Sequence, residues 1–212
     1  MKKFNFRKLH NYRRRFINAN KNEDHVVVRG NNNVCLSAPH GVSQVRLGKL
    51  KYKEVGSLAS ALYLQEKTGS FLIAKTKNNN DDANFDEKCG YRNTLSSVIE
   101  KEGICYLIDF HGLSATRDCD VNLGIHLGKN IENNEKVFRQ IFDLLQDNGF
   151  RVSVDMPFMA GARTVSGAMK NKFPNLWSMQ IEVNCNITNR EENADKYQLL
   201  LKILEQWIRG LL

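Results

Sequence analysis

Short apolar runs that end at glycine or proline recur along the chain, and most of them do not alternate with polar residues. Val34-Cys35-Leu36-Ser37-Ala38-Pro39-His40-Gly41 and Ile104-Cys105-Tyr106-Leu107-Ile108-Asp109-Phe110-His111-Gly112 are the clearest, and Phe71-Leu72-Ile73-Ala74 is a third. Such runs predict strands covered on both faces by helices, the habit of parallel sheets. Between them lie stretches of helical period. Val55, Leu58, Ala59, Leu62 and Tyr63 follow Glu54 and close near Thr68-Gly69, while Tyr91, Leu95, Val98 and Ile99 end at Gly103. Val137, Phe138, Ile141, Leu144 and Leu145 mark a third helix, and Tyr197 to Leu211 a long fourth, expected to start from a Thr188/Glu191 capping box. The pair His25 to Arg29 and Val34 to Ser37, flanking Gly30 and three asparagines, predicts a β-hairpin. Val121 to Leu127 alternates, with His126 on the polar side, and Val152, Val154 and Met156 mark another strand. Residues 158–167 predict a flexible glycine-rich loop around Arg163. Strands alternating with helices give an α/β fold with a mixed, mainly parallel central sheet flanked by helices.

At 212 residues the chain suits one domain, expected over 25–212 behind a basic N-terminal arm over 1–24. The arm concentrates the net charge of +8, with Lys2, Lys3, Arg7, Lys8, Arg13, Arg14 and Arg15 near the start. It lacks a nucleic-acid-binding motif, which favours a solvated or packed surface segment, dispensable for catalysis. No apolar run approaches the roughly 18 residues of a membrane helix, and no secretory leader is recognisable. Cys35, Cys89, Cys105, Cys119 and Cys185 are odd in number, lack metal-knuckle spacing and read as reduced thiols, mostly within apolar strands, of a cytoplasmic protein.

Ligands of parallel sheets collect at the carboxyl ends of the strands, so His40 and His111 are expected to face one crevice. Two histidines and a carboxylate form a familiar zinc site, leaving a fourth position for water. Glu54 is the chosen third ligand, although a helix-start glutamate is also favoured by the helix dipole, and Asp82 and Asp109 remain alternatives. Glu182, between Ile181 and Val183 in a strand that reads as central, is costly to bury without a cation, a hydrogen-bond set or a task, and is the candidate general base. Arg163 suits a substrate carboxylate or an oxyanion. Asp82, Asn84 and Asn184 complete the candidate substrate contacts.

Five of these segments carry a resemblance. Ser37-Ala38-Pro39-His40-Gly41, Asp82-Ala83-Asn84, Ile108-Asp109-Phe110-His111-Gly112, Asp120-Val121-Asn122-Leu123-Gly124 and Gln180-Ile181-Glu182-Val183-Asn184 resemble, in order and approximate spacing, the N-formylglutamate amidohydrolase family. That resemblance implies a phosphorylase/hydrolase-like fold related to the zinc carboxypeptidases. It also implies one zinc per chain on His40, Glu54 and His111, with Glu182 as catalytic carboxylate. The substrate implied is a small carboxylate-bearing or peptide-like amide. Phe85 stands where the family pattern has arginine, and Ser43 stands where a compact His-x-x-Glu site would have its carboxylate. The alternative from another class is a non-catalytic basic binding protein of the same fold.

Overall fold

The computed structural model describes residues 4–132 and 134–212, so Lys2 and Lys3 of the basic arm lie outside the described residues. Seven strands form one sheet in the order β1 (His25–Val28), β5 (Phe71–Lys75), β2 (Val34–Ala38), β6 (Tyr106–Leu113), β9 (Trp177–Asn184), β7 (Val121–Gly124) and β8 (Val152–Val154). The four central strands β5, β2, β6 and β9 are parallel. β1 runs antiparallel to β5, β7 runs antiparallel to β9, and β8 is parallel to β7. β3 (Gln44–Arg46) and β4 (Lys49–Lys51) form a separate antiparallel hairpin.

Successive residues of the central strands face opposite cores, which is why their sequence does not alternate. Leu36, Leu72 and Ile108 join the core built with α1 (Phe6–Ala19), α2 (Val55–Thr68), α4 (Glu135–Asp147) and α7 (Ala194–Arg209). Cys35, Ile73 and Leu107 join the core built with α3 (Gly90–Glu102) and α5 (Val165–Lys172). In β9, Trp177, Met179, Ile181 and Val183 enter the first core. Its other face carries Ser178, Gln180, Glu182 and Asn184, all buried. A buried polar face demands partners or a purpose.

Several local expectations are corrected. β1 and β2 are not a hairpin, because β5 lies between them. The connection crosses the start of β5, where Asn31 N donates to Gly69 O at 2.9 Å and the Asn32 amide donates to Thr68 O. Only a residue without a side chain fits at Gly30, since a Cβ there would stand 2.4 Å from the Phe71 nitrogen. Thr188 does not cap the last helix. It lies inside the short α6 (Cys185–Asn189), and extended backbone at Arg190 breaks the chain before α7. Met156 is outside β8 and exposed, and His126 follows β7 in a turn with φ of 53°. Among the cysteines Cys35 alone lies in a strand, and all five are free thiols. No described helix is long and apolar enough to cross a membrane.

The described part of the basic arm takes the packed form of the two expected. Its helix α1 buries Leu9 and Arg13, and the Arg13 guanidinium donates to Gly41 O at 2.6 Å, one residue from His40. Dispensability for catalysis therefore no longer follows.

The Gly30 geometry gives a first prediction. Gly30→Ala forces backbone against backbone, and overpacking of this kind costs roughly 1–3 kcal/mol. Thermal unfolding should shift down by several degrees, at about 2–4 °C per kcal/mol for a chain of this length. An unchanged midpoint would show that the crossing loop yields freely.

Candidate metal centre

The parallel register of β2, β6 and β9 assembles the site. Ser37 pairs with Asp109 and His111 pairs with Glu182, so the His40 turn after β2, the end of β6 and the polar face of β9 lie side by side. Glu54, the residue before α2, joins them from the helix side. Its backbone nitrogen donates to His40 O at 2.9 Å, and its Oε2 accepts from Gly112 N at 2.9 Å.

The outer nitrogen of each imidazole meets a fully buried carboxylate. His40 Nε2 lies 2.9 Å from Asp82 Oδ1, and His111 Nε2 lies 3.1 Å from Asp109 Oδ2. Ionised carboxylates only accept, so both Nε2 atoms donate to them, and each Nδ1, once free of a proton, presents its lone pair inward. Those lone pairs converge. The two Nδ1 atoms are 3.1 Å apart, with Glu54 Oε1 2.9 Å from His40 Nδ1 and Glu54 Oε2 3.2 Å from His111 Nδ1. One ligand atom from each of His40, Glu54 and His111 falls within 4.8 Å of the others, a set of acceptors that a metal ion can satisfy. Asp82 and Asp109, the alternative third ligands, stand on the far side of the rings.

The ionisation of the site follows from these contacts. Burial alone would raise the Glu54 pKa, but His40 and His111 outweigh it and hold the carboxyl well below the usual range. Burial disfavours a charged His111, yet Asp109 and Glu54 raise its pKa well above 6.5. Asp82 is likewise held down, against burial, by His40 and Arg46. Glu182 goes the other way, because burial pushes it up to about 7 and His111 only partly opposes this. The Gln180 amide donates to its Oε1.

A cavity of about 410 Å³ opens over these groups. His40, Glu54, His111, Glu182, Arg163 and Asn84 line it together. Asn84 Oδ1 accepts from Val165 N at 2.8 Å, which leaves its Nδ2 for the cavity. Asn184 is not there. Its Nδ2 is taken by the carbonyls of Arg117 and Cys119, beyond the end of β9. Asp82 is not a substrate contact either, since it is fully buried and holds His40 and Arg46. The loop around Arg163 is tied down rather than free, through Asn122 to Phe158 O, His126 N to Met159 O and Asn130 to Ala160 O. Its end is the first turn of α5, capped by Thr164, where a Cβ on Gly167 would stand 2.3 Å from Gly161 O.

Gln180 lines the cavity as well, and so do Arg46 and Lys51, which were not singled out from the sequence. Arg46 donates to Asp82 at 2.7 Å and lies over the Phe85 ring, and Lys51 donates to Glu54. The available signal was the alternation of cations around Gly48 in Arg46-Leu47-Gly48-Lys49-Leu50-Lys51. Part of the lining is apolar, through Phe85, Pro157, Phe158 and Met159, and Phe158 and Met159 are exposed.

Sheet order and layering define the class: a single α/β domain with a mostly parallel seven-stranded sheet, of a fold similar to that of metallo-carboxypeptidases. Among solved structures it is similar to N-formylglutamate amidohydrolase from Ralstonia eutropha JMP134, with a TM-score of 0.64 and 13% identity over 89% of this chain and 96% of that one. It is similar to a bacteriophage poly-gamma-glutamate hydrolase at a TM-score of 0.52 and 16% identity, covering 88% of this chain and 87% of that one. It is also similar to a metallo-carboxypeptidase from Burkholderia cenocepacia, at 0.54 and 11% over 95% of this chain and 67% of that one. At these identities the likeness shows the fold. Neither a protein-family model nor a curated protein sequence matches the chain.

The raised Glu182 pKa carries a stability consequence in metal-free protein. A carboxyl whose folded pKa lies above its unfolded value near 4.5 favours folding below pH 4.5, and that contribution is lost as pH rises through about 7. Glu182→Gln should therefore unfold several degrees above the unmodified chain at pH 8 in chelator, with the gap closing by pH 4.5. A gap independent of pH would mean that the carboxyl is not titrating in that window.

Proposed function

We propose that the chain is a zinc-dependent amidohydrolase with His40, Glu54 and His111 as ligands and Glu182 as general base. The carrying observation is the convergence of one potential ligand atom from each of His40, Glu54 and His111, with Asp82 and Asp109 at the outer nitrogens, which supports inner nitrogens free for a metal. When bound, the ion would polarise the amide carbonyl and make a water nucleophilic near neutral pH. Glu182 moves the proton. Gln180 occupies its Oε1, so Oε2 takes a proton from the attacking water and returns it to the nitrogen as the C–N bond breaks. Arg163 binds a carboxylate of the substrate, and Asn84 Nδ2 donates beside it. The cavity and its partly apolar lining suit an amide with flanking groups, such as an N-acyl amino acid, a γ-glutamyl compound or a peptide, as well as formylglutamate itself.

Metal content and turnover of two glutamine variants test this assignment. Unmodified protein should hold about one zinc per chain, where a non-catalytic binding protein would hold none. Glu182→Gln should retain zinc while turnover falls at least about a hundredfold, the scale of lost general-base catalysis. Glu54→Gln should lose zinc to mild chelation and recover part of its activity in excess zinc. A metal-free Glu182→Gln beside a loaded, active Glu54→Gln would exchange the two roles.

Arg163→Ala should weaken a carboxylate-bearing substrate about ten- to a hundredfold in kcat/KM, the worth of a charge-assisted pair at roughly 1.5–3 kcal/mol. The corresponding neutral amide should be affected much less. Equal losses on both would assign Arg163 to the oxyanion instead.

A further inference from the structure

Two neighbouring segments on one side of the site carry the excess positive charge. α1 contains Arg7, Lys8, Arg13, Arg14 and Arg15, and residues 44–53 contain Arg46, Lys49, Lys51 and Lys53, with no acidic residue in either. Outside them, Asp and Glu slightly outnumber Lys and Arg. Among the described residues Arg7 pairs with Glu191, Arg46 with Asp82 and Lys51 with Glu54, while Arg14 and Lys53 pair with no carboxylate.

Between the two segments lies a separate cavity of about 280 Å³, whose polar lining is Arg13, Arg14, Asn18, Ser43 and Lys53. No carboxylate and no aromatic ring lines it. Arg13 is 5% exposed, and although it donates to Gly41 O, its Nε has no partner. Burial and the nearby Arg14 lower its pKa, the sign of a charge that the chain itself leaves uncompensated.

This cavity adjoins the candidate metal centre. Lys53 directly precedes Glu54, and Val42, also in the lining, lies two residues beyond His40. At about 3.3–3.6 Å per extended residue, the backbone separation is at most about 7 Å. A peptide whose scissile amide sits in the site reaches the cavity with a side chain two or three residues away.

We infer that the cavity is an anion subsite for a side-chain carboxylate of an acidic peptide substrate, with Arg13, Arg14 and Lys53 as its recognition groups. This rests on the reading of the site as an amide hydrolase. The cavity over the candidate metal centre carries cations of its own in Lys51, Arg46 and Arg163, so an acidic chain extending from one cavity to the other meets cations in both. Single-stranded nucleic acid is the less suited polyanion, because it is held largely by stacking on aromatic rings, and the subsite has none.

Fluorescence anisotropy of the full chain tests the subsite, using labelled hexaglutamate, hexaglutamine and a six-nucleotide single-stranded DNA. Hexaglutamate should bind, weaken with salt and exceed hexaglutamine by about tenfold or more. Arg14→Gln with Lys53→Gln should cost hexaglutamate roughly tenfold or more, the scale of lost charge-assisted contacts. The charge-matched control Lys136→Gln with Arg139→Gln, on exposed positions of α4, should cost far less. The inference is overturned if hexaglutamate fails to bind, or if the control pair costs as much. DNA binding as tightly as hexaglutamate, with the same sensitivity to Arg14 and Lys53, would overturn it in favour of a nucleic-acid surface. Turnover is read separately, so a failed hydrolase reading would show as absent cleavage beside intact, substitution-sensitive binding.

Discussion

Three hydrogen-bond acceptors turned toward one point inside a protein require a cation or a proton between them, and the centre of this fold is built to that requirement. Asp82 and Asp109 take the outer nitrogens of His40 and His111, so the inner nitrogens face Glu54 and share a proton with it when no cation is bound. The cost is tolerable only because the parallel strands β2 and β6 hold both rings in register and Gly112 N anchors Glu54 from below. Shifting one strand by a single residue would turn Asp109 and His111 to the opposite face and dissolve the arrangement. The close packing of the two cores against the sheet is what forbids that slip.

How much of this was legible in the sequence depended on whether a feature had a period. Runs buried on both faces, such as Val34 to Ala38 and Tyr106 to Leu113, announced the central strands, and the helical stripes announced α2, α3 and α4 within a residue or two. Glu182 stood out because a carboxylate in an apolar strand is expensive. Pairing order has no such signature. β1 and β2 look like a hairpin until Gly30 is seen threading over Gly69 and Phe71, a contact between residues about forty positions apart. The small polar stretch Val165–Lys172 hid the helix α5, which packs through Val165 and Met169 alone among its hydrophobic positions that are fully buried.

The site was harder to read where chemistry is delivered from a distance. Asp82 and Asp109 looked interchangeable with Glu54 as ligands, since a carboxylate near a histidine in sequence can face either ring nitrogen. Only the fold shows which nitrogen each one meets. Arg46 was invisible because it belongs to a three-residue strand, yet its guanidinium lies 5.2 Å from the centre of the Phe85 ring. The aromatic residue at position 85, where the family pattern has arginine, is thus the platform on which an arginine from elsewhere in the chain rests.

Charge accounting joins these pieces. Asp82, Asp109, Glu54 and Glu182 bring four carboxylates into one buried cluster, and Arg46 and Lys51 compensate two of them. On the proposed reading a divalent ion balances the other two. Without the ion the same balance is reached by protons, and the two groups driven toward protonation are His111 and Glu182. Either way the cluster approaches neutrality, as burial demands. Arg163 then remains as a cation lining the cavity with no acidic partner among the described residues. On the proposed reading, a cluster that is neutral in itself and keeps one uncompensated arginine at its wall would favour a ligand that brings one negative charge to that wall.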